Sequence, residues 1–463
     1  MKKSLFIAGL LACGTLYGQN PIVPPGVYLA DPEGHQWKDG KLYLYVSRDE
    51  SPDYYCSWSY DLLSTSDLKN WKITKNAFAS KGPNDQVPYS DGELYASDAA
   101  YKNGKYYLYY SMRDAIDEGV AVSDSPDGPF KNGQPMKGIS QIDPAVFVDD
   151  DGQAYLYWGQ FSAKGAKLKD NMLEVDTTTI VDGLVTEKDH FFHEGSSMRK
   201  RNGIYYMVYA HLRKGRPTCI GYATSKSPLG PFKYGGVIVD NAGCDPESWN
   251  NHGSICEFNG QWYVLYHRTT NGARSMRKAC MEPITFNEDG SINEVEMTSQ
   301  GAGDPLNAFD KTGAERACLL WGNTRIRLCA PDNEELSGIQ NENYAVYKYL
   351  DFGDGADSFT VDVTPKAGGK IEVWIDNLWT PPVGVVDVPA SDDGKPVTLT
   401  AKIQPVKGGT CPDAAFHRRQ RRRRVVYGRR VPFRKAVDDP IRPEQPESDS
   451  GCSFNLQTYD LKT

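Results

Sequence analysis

The sequence of 463 residues lacks several features that would indicate common classes of function. It has no two cysteines spaced as C-x-x-C, so it offers no pattern for a zinc site or a redox site. It has no excess of positive charge, since its formal net charge is −8, and this argues against binding to nucleic acid or to an anionic membrane surface. It also lacks long amphipathic helical patterns and, beyond its N-terminus, any apolar run that could span a membrane.

The N-terminus carries two lysines and then the apolar stretch Leu5–Ala12, which predicts a bacterial secretory signal over residues 1–18. Cleavage near Gly18 would release a soluble form. The segment Leu10–Gly14 also resembles a lipobox, which would make Cys13 a lipidated N-terminus. We therefore expect an exported protein without a transmembrane segment. It would be either periplasmic or secreted, or else anchored to a membrane through Cys13.

The nine cysteines after Cys13 are scattered, and their odd number means that they cannot all pair within the chain. The prediction is that most of them are buried free thiols. In an oxidising compartment, Cys244–Cys256 or Cys318–Cys329 could instead form disulfides.

Aromatic residues are abundant, with 28 tyrosines, and they recur around a repeated phrase. Its centre is an Asp-Gly or Asn-Gly pair between apolar and aromatic residues, with central glycines at Gly40, Gly104, Gly152, Gly203 and Gly260. Such a pair predicts a tight β-hairpin, because both turn positions favour positive φ. Five hairpins spaced 48 to 64 residues apart predict an all-β, five-bladed β-propeller.

A polar residue precedes each of these glycines. Asp31, Asp143 and Glu194 stand nine residues before theirs, His252 stands eight before, and Asp98 stands six before. If each hairpin is the inner strand pair of a blade, these residues begin successive innermost strands. We therefore expect all five to converge at one end of the central channel.

The repeat ends near residue 290. We predict a propeller over residues 22–290 and a polar linker over 291–313. A second all-β unit, a β-sandwich of the jelly-roll type, is predicted over 314–463, where alternating strands such as Lys370–Asp376 return.

The stretch 411–452 breaks this pattern and contains the basic run His417–Arg424. It can be interpreted as a polyanion-binding tail, as a disordered insertion, or as the product of two compensating reading-frame shifts. We favour the third interpretation, because strand-like sequence stops at Lys407 and resumes at Ser453–Leu461. Peptides from residues 418–430 in a mass spectrum would exclude it.

Several carboxylates facing one pocket in an exported, aromatic-rich β-protein point to hydrolysis of glycosidic bonds. One carboxylic acid must protonate the leaving oxygen while a carboxylate activates water on the opposite face of the sugar. The acid needs a raised pKa, which burial or a neighbouring negative charge can supply.

The sequence from about residue 24 to 286 resembles family 43 of the glycoside hydrolases, five-bladed propellers that invert configuration. The resemblance rests on five short motifs in family order: Ala30-Asp31-Pro32, Ser97-Asp98-Ala99, Ile142-Asp143-Pro144-Ala145, His193-Glu194-Gly195 and Asn251-His252-Gly253. It implies that Asp31 is the general base, Glu194 the general acid and Asp143 the residue that orients the acid and tunes its pKa.

The resemblance also implies roles for other residues. His252 corresponds to a channel histidine that lies near a calcium ion in many members, and Asp98 and Arg277 correspond to positions near the substrate. Each of these could instead be structural. From their nearness to the motifs, Trp37, Trp158 and Trp249 are the candidates for stacking on sugar.

The C-terminal unit resembles a family 6 carbohydrate-binding module, on the residues Gly368–Asp376 and Phe454–Leu456, with Trp379 as a candidate stacking residue. The anomalous stretch 411–452 falls where late strands of such a module belong. Sugar binding by this unit therefore stays an open prediction.

Together these features predict an exo-acting enzyme that releases α-L-arabinofuranosyl or β-xylosyl units from plant polysaccharide. We expect it to act as a monomer, with no cofactor for the chemistry. Two alternatives stay open, an exo-β-1,3-galactanase and a sugar-binding propeller without catalysis.

Overall fold

The computed structural model describes residues 18–246, 250–376, 378–391 and 393–408, together with two later strands at 425–426 and 453–460. The predicted signal segment before Gly18, Trp249 and most of the anomalous stretch lie outside the described residues. Nearly all regular structure within these residues is β, and the α-helix that they contain, α1 (Glu187–His190), has a single turn. Within the described residues, no helix has the length and apolar character needed to cross a membrane.

Five antiparallel sheets form the propeller, which confirms the predicted fold class. Blades one to four have four strands each, and blade five has three strands within the described residues. In chain order these strands are β1 (Leu29–Gln36), β2 (Leu42–Arg48), β3 (Ser59–Thr65), β4 (Lys72–Ala79), β5 (Leu94–Lys102), β6 (Lys105–Met112), β7 (Gly119–Ser123), β8 (Lys131–Pro135), β9 (Ala145–Val148), β10 (Ala154–Trp158), β11 (Ser162–Lys167), β12 (Val181–Thr186), β13 (Phe192–Arg201), β14 (Ile204–Arg213), β15 (Arg216–Ser225), β16 (Lys233–Asp240), β17 (Ser254–Phe258), β18 (Gln261–Thr270) and β19 (Ala273–Pro283).

The N-terminal residues close the ring at the outer strand of blade five. The amide of Ile22 donates to the carbonyl of Ala279 at 2.9 Å, and the side chain of Asn20 accepts from the amide of Met281 at 2.8 Å. Because these residues cover the free edge of β19, the first and last parts of the propeller hold each other in place.

The five glycine-centred hairpins join the two innermost strands of each blade, as predicted. At the three Asn-Gly copies both residues have positive φ, for example 50° at Asn202 and 72° at Gly203. At the two Asp-Gly copies only the glycine does, and the amide of Gly152 closes a four-residue turn on the carbonyl of Asp149 at 2.9 Å. The expectation of two positive φ values therefore holds for asparagine and not for aspartate.

The tyrosines pack between neighbouring blades, and their hydroxyls fix the turns of the next blade. Tyr45 donates to the carbonyl of Pro126 at 2.8 Å, and Tyr157 donates to that of Pro228 at 3.0 Å. Both prolines belong to Ser-Pro turns that precede the outermost strand of a blade. A buried hydroxyl needs such a partner, so these turns recur for a packing reason.

The second unit is β-rich and has its own apolar core around Leu320, Tyr347, Ile371 and Val386. Its strands are β20 (Leu306–Asn307), β21 (Leu319–Trp321), β22 (Arg325–Ala330), β23 (Asn333–Ser337), β24 (Asn343–Lys348), β25 (Leu350–Asp351), β26 (Ala356–Val363), β27 (Gly369–Ile375), β28 (Gly384–Val388), β29 (Val397–Val406), β30 (Val425–Val426) and β31 (Ser453–Asp460). Strand β31 lies between β24 and β27 and pairs with both. The strand-like sequence after residue 452 thus completes the sheet.

The segment predicted as a linker packs against both units. The amide of Val295 donates to the carbonyl of Ile238 in blade four at 2.8 Å, and Met297 is buried in the core of blades four and five. Strand β20 already pairs with β25, so the second unit begins some residues before position 314. Lys278 of β19 and Glu334 of β23 form a fully buried ion pair at 2.8 Å between the units.

The cysteines of the described residues are free thiols, and neither alternative disulfide forms. Six of them are buried, and Cys329 is exposed.

Candidate active site

Four of the five in-register polar residues meet at one end of the central channel. Asp31 lies in β1, Asp143 directly before β9, Glu194 in β13, and His252 directly before β17. The Nδ1 atom of His252 lies 3.7 Å from a carboxylate oxygen of Asp31 and 3.8 Å from one of Asp143. One imidazole thus connects carboxylates that stand more than one hundred residues apart in the chain.

The backbone at these positions departs from a regular strand. Asp31 and Asp143 have φ values of 52° and 57°, a left-handed conformation that costs free energy for residues other than glycine. The pairing of β13 with β14 shifts register on both sides of Glu194. Such irregularities redirect side chains from the blade into the channel.

Gly195 makes room for the histidine beside the acid. Its φ is 71°, and a Cβ there would lie 2.8 Å from the ring of His252. Only glycine satisfies both constraints. The residue that follows Glu194 therefore fixes how closely blades four and five approach at the pocket.

Asp31 is held as a carboxylate. It is buried, and Nη1 of Arg277 donates to its Oδ1 at 2.6 Å. Burial by itself would raise the pKa of Asp31, but the positive charge of Arg277 outweighs it and holds this pKa well below its usual range. Arg277 was expected to contact substrate, and the structure instead places it on the proposed base.

Asp49, which the sequence did not single out, keeps Arg277 in place. It accepts from Nε and Nη2 of Arg277, both at 2.8 Å, and from the Arg277 amide at 3.0 Å. The ring of Tyr55 covers the guanidinium with its centroid 5.0 Å away. This bidentate contact fixes the cation that keeps Asp31 ionised.

His267 holds Asp31 from the other side. Its Nδ1 accepts from the backbone amide of Asp31 at 3.3 Å, and its Nε2 lies 2.5 Å from Oδ1 of Asn250. Burial lowers the pKa of His267 to about 4, so the ring is neutral near pH 7. A neutral ring can accept at Nδ1 and donate at Nε2, as these two contacts require.

Asp143 has the opposite electrostatic character. Burial raises the pKa of its carboxyl well above the ordinary value, and the negative charges of Glu194 and Asp31 add to this effect. Its carboxylate accepts no hydrogen bond from the residues described here, which leaves it free to share a proton. The pocket thus combines one carboxylate held ionised with another that favours its protonated form.

Glu194 is half-buried, and it is the most exposed of the three carboxylates at the pocket. The side-chain amide Nε2 of Gln160 donates to Oε2 of Glu194 at 2.7 Å, and Nε2 of His193 lies 3.9 Å from the same oxygen. Phe161, next to Gln160, is 52% exposed and packs edge-on against His193. These contacts orient the proposed acid and place an aromatic surface beside it.

Asp98 does not reach the pocket. Its Oδ1 lies 2.6 Å from Nε2 of His35, and its Oδ2 accepts from the amide of Val146 at 2.7 Å. Asp98 stands six residues before its glycine rather than nine, which places it about 10 Å farther along its strand. The predicted contact with substrate is not supported, because both oxygens are used inside the channel.

Two of the three candidate tryptophans are unsuited to stacking on sugar. Trp158 is 2% exposed and belongs to the core between blades two and three. Trp37 lies at the far end of β1 from Asp31 and stacks on His35 with a centroid distance of 4.8 Å. Nearness in sequence was misleading for Trp37 because β1 carries residues away from Asp31 at about 3.3 Å each. It was misleading for Trp158 because this side chain faces the core, although its strand returns to the level of Asp143.

The partly exposed aromatic residues near the pocket, Tyr55 and Phe161, belong to loops that do not repeat from blade to blade. Tyr55 and Phe161 are 37% and 52% exposed. Tyr95 of β5 stands nine residues before Gly104, the same spacing that Asp31, Asp143 and Glu194 have from their glycines.

The channel fits a calcium ion poorly. Glu33, His35 and Asp98 present one ligand atom each within 4.8 Å of one another. Calcium requires six to eight oxygen ligands. Here a guanidinium nitrogen of Arg199 already binds Glu33 and donates to the carbonyl of Gly34 at 2.8 Å. The carboxylates within 4 Å of the His252 ring among the described residues are Asp31 and Asp143, which already have roles in the pocket. No step of the chemistry is therefore assigned to a metal.

Comparison with known proteins agrees with this geometry. The family model described as glycosyl hydrolases family 43 matches residues 18–292. A xylosidase/arabinosidase of Thermoclostridium stercorarium is 31% identical, over 78% of this chain and 91% of its own length.

Two solved structures add to this comparison. The structure of a family 43 β-xylosidase/α-arabinofuranosidase from a compost microbial metagenome, in complex with xylotriose, has a TM-score of 0.52 and 33% identity. It covers 60% of this chain and 97% of its own. An arabinoxylan arabinofuranohydrolase from Bacillus subtilis, in complex with cellotetraose, has a TM-score of 0.54 and 25% identity, over 96% of this chain and 99% of its own. The likeness therefore extends over the sandwich as well as the propeller.

Proposed function

Because this chain belongs to family 43 of the glycosyl hydrolases, we propose that it is an inverting, exo-acting enzyme that releases α-L-arabinofuranosyl or β-xylosyl units from plant polysaccharide. The observation that carries the proposal is the electrostatic contrast in the pocket. Asp31 is held ionised by Arg277, whereas Asp143 beside Glu194 favours a proton. Inverting hydrolysis needs this combination of a base and an acid. The names of the similar proteins support the choice of pentose.

On the acid side, Glu194 gives a proton to the leaving glycosidic oxygen. Burial and the negative charge of Glu194 raise the pKa of the neighbouring Asp143 carboxyl, so Asp143 favours its protonated form beside the acid. Gln160 holds the Glu194 carboxyl toward the opening, where the glycosidic oxygen would lie. Protonation and bond cleavage then occur together, and positive charge develops on the ring of the sugar whose anomeric carbon the water attacks.

On the base side, Asp31 removes a proton from the water that attacks the opposite face of the sugar ring. Arg277 fixes the orientation of its carboxylate and keeps it ionised, while His267 accepts from the backbone amide of Asp31. Inversion requires the Asp31 and Glu194 carboxyls to stand about 6.5–9.5 Å apart, so that this water fits between them. No cofactor takes part in these steps.

The test is product analysis with arabinan, arabinoxylan and arabinogalactan, with the anomer of the first product observed by proton NMR. Arabinose or xylose released with inverted configuration would agree with the proposal. Galactose from arabinogalactan would favour the galactanase alternative. Binding without turnover of any polymer or aryl glycoside would favour the non-catalytic alternative.

We propose further that the sandwich binds carbohydrate, as its resemblance to a family 6 module implies. Trp379, 73% exposed in the turn between β27 and β28, is its candidate stacking residue. Equal retention of wild type and Trp379→Ala in native gels containing soluble polysaccharide would exclude this role for Trp379.

Export is the remaining proposal about the whole chain, and it rests on the first 18 residues. Expression of the full chain in a bacterial host, followed by fractionation and labelling with a radioactive fatty acid, distinguishes two outcomes. A labelled membrane-bound form would agree with an anchor at Cys13, and an unlabelled form outside the cytoplasm would agree with cleavage near Gly18.

A further inference from the structure

An edge strand of the sandwich lies directly against the loops of the catalytic face. The amide of Leu320 in β21 donates to the carbonyl of Gly243 at 2.8 Å. Gly243 belongs to the loop from β16 to β17 that carries His252. Leu319 packs so closely on Gly243 that a Cβ there would lie 2.6 Å from it. Strand β21 is therefore fixed at the rim of the face that contains the pocket.

A second contact secures the same region of the sandwich. The amide of Asn271, in the turn between β18 and β19, donates to the carbonyl of Ile326 at 2.8 Å. The neighbouring Arg325 forms a buried ion pair with Asp245 at 3.0 Å. Both contacts reach loops at the pocket end of blades four and five. The sandwich surface beside β21 thus has a defined position relative to the active site.

Trp321 ends strand β21 with its side chain 59% exposed. It stacks on Tyr344 of the neighbouring strand, with ring centroids 5.9 Å apart and only 5° between the planes. Tyr344 in turn packs against the core of blades four and five. The orientation of the tryptophan is therefore held by packing, while most of its surface meets water.

The exposed polar side chains close in sequence to Trp321 and Tyr344 include three amides and the carboxylate of Glu342. Asn323 and Gln340 are joined by a 2.5 Å hydrogen bond, and Asn341 is exposed beside them. Amides donate and accept hydrogen bonds without carrying charge, which suits hydroxyl groups. The C–H faces of a pyranose suit the open face of an aromatic ring. These groups match a sugar better than an ion or an extended apolar partner.

We propose that Trp321 is a stacking platform for a pyranose unit of the polysaccharide whose side group enters the pocket. This inference rests on the proposed function, because an enzyme that removes side groups leaves the main chain outside the pocket, extending over the rim. Trp321 lies on that rim, on a different element from Trp379. It would increase the residence of polymer on the catalytic face without touching the reacting bond.

The test compares Trp321→Ala with a matched control, Phe309→Ala, which removes another exposed aromatic side chain of the same unit (62% exposed). Turnover is measured on arabinoxylan and on a 4-nitrophenyl arabinofuranoside or xyloside. We expect Trp321→Ala to lower kcat/KM on arabinoxylan roughly five- to tenfold, with less than a twofold change on the aryl glycoside. Trp321→Phe should recover most of the loss, and Phe309→Ala should behave as wild type.

Binding is measured independently of turnover by retention of the Glu194→Gln protein, with and without Trp321→Ala, in native gels containing soluble arabinoxylan. Equal retention of both forms would overturn the inference. So would a loss on the polymer matched by Phe309→Ala, or an equal loss on polymer and aryl glycoside. If wild type hydrolyses neither substrate, the proposed function fails, and the gels still decide whether Trp321 binds the polymer.

Discussion

Two groups of carboxylates lie one beyond the other along the propeller channel, and they differ in how their oxygens are used. The group at the open end consists of Asp31, Asp143 and Glu194. The group inside the channel consists of Glu33 and Asp98. All but Glu194 are buried, and each group has an arginine, so neither burial nor the presence of a cation distinguishes them.

In the inner group each carboxylate accepts from at least two protein donors. Glu33 accepts from Ser197 at 3.0 Å and from Arg199, and Asp98 accepts from His35 and from the Val146 amide. Burial lowers the pKa of His35 to about 3, so this ring is neutral and donates its Nε2 proton. A cluster satisfied in this way joins blades one, two, three and four and has nothing to offer a substrate.

In the outer group, acceptor capacity is left over. Asp143 accepts no hydrogen bond from any described residue, and Glu194 accepts one side-chain hydrogen bond, from Gln160. Unsatisfied carboxylates at the mouth of a pocket cost stability and persist where they act on a ligand. Among these five carboxylates, those at the pocket therefore accept fewer hydrogen bonds from protein donors than those inside the channel.

The largest effect is expected for Glu194→Gln, which keeps the shape of the side chain and the contact with Gln160 but cannot donate a proton. We expect kcat on natural oligosaccharides to fall roughly 10²–10⁴-fold. Aryl glycosides with good leaving groups should be affected least, because their departure needs no proton. Comparable kcat of the variant and wild type on oligosaccharides would refute the assignment of the acid.

Asp31→Asn should also abolish most turnover, because an amide cannot take a proton from water. We expect a loss of roughly 10²–10⁴-fold on both oligosaccharides and aryl glycosides, since this step does not depend on the leaving group. The ratio of the two losses, measured by initial rates, separates the base from the acid. If Asp31→Asn lost turnover only on substrates with poor leaving groups, Asp31 would be the acid and Glu194 the base.

Asp98→Leu should lower the free energy of unfolding more than it lowers turnover, in contrast to the two substitutions at the pocket. It leaves the His35 ring and the Val146 amide without their acceptor in a buried site, which costs about 2–5 kcal/mol of unfolding free energy. Urea denaturation measures the loss. Asp98→Asn is the matched control, because it keeps an acceptor oxygen and should lose less. If Asp98→Leu left the stability unchanged and lowered the affinity for substrate, Asp98 would instead be a substrate-binding residue.

The register of the hairpins predicted much of this arrangement. Nine residues between Asp31, Asp143 or Glu194 and the glycine of its hairpin placed all three at one level. Asp98 stands only six residues before its glycine, and this shorter spacing predicts its deeper position in the channel. The expectation that all five polar residues meet at one level was therefore wrong for Asp98. These positions could be predicted from the sequence because each blade repeats the same hairpin geometry.

The supporting residues could not be predicted in the same way. Asp49, Gln160 and His267 come from the second strands of their blades or from the loops that follow, and they stand nine, eight and seven residues after the glycines of their hairpins. Trp158 sits near the pocket in sequence, yet its side chain packs into the core between blades two and three. Which loop residue contacts Glu194 depends on packing between blades that are distant in sequence.

A smaller effect is expected for Asp143→Asn, in the pH dependence of catalysis. At present the Asp143 carboxyl and Glu194 disfavour each other's negative charge, which keeps a proton in the pair to higher pH. With a neutral amide at position 143, that proton is lost at lower pH. We therefore expect the alkaline limb of kcat/KM to move down by about one pH unit. An unmoved limb with a lower kcat would give Asp143 an orienting role alone.

The smallest effect is expected from removing divalent cations. Arg199 supplies positive charge to the inner carboxylates, so EDTA should change neither the Tm nor the turnover of the wild-type protein. Arg199→Met is the informative counterpart, because it leaves Glu33 and Asp98 close together without their cation. This variant should lose stability and regain part of it with millimolar calcium, as measured by thermal unfolding. A wild-type protein that loses Tm in EDTA and recovers it with calcium would show that a metal, rather than Arg199, completes the channel.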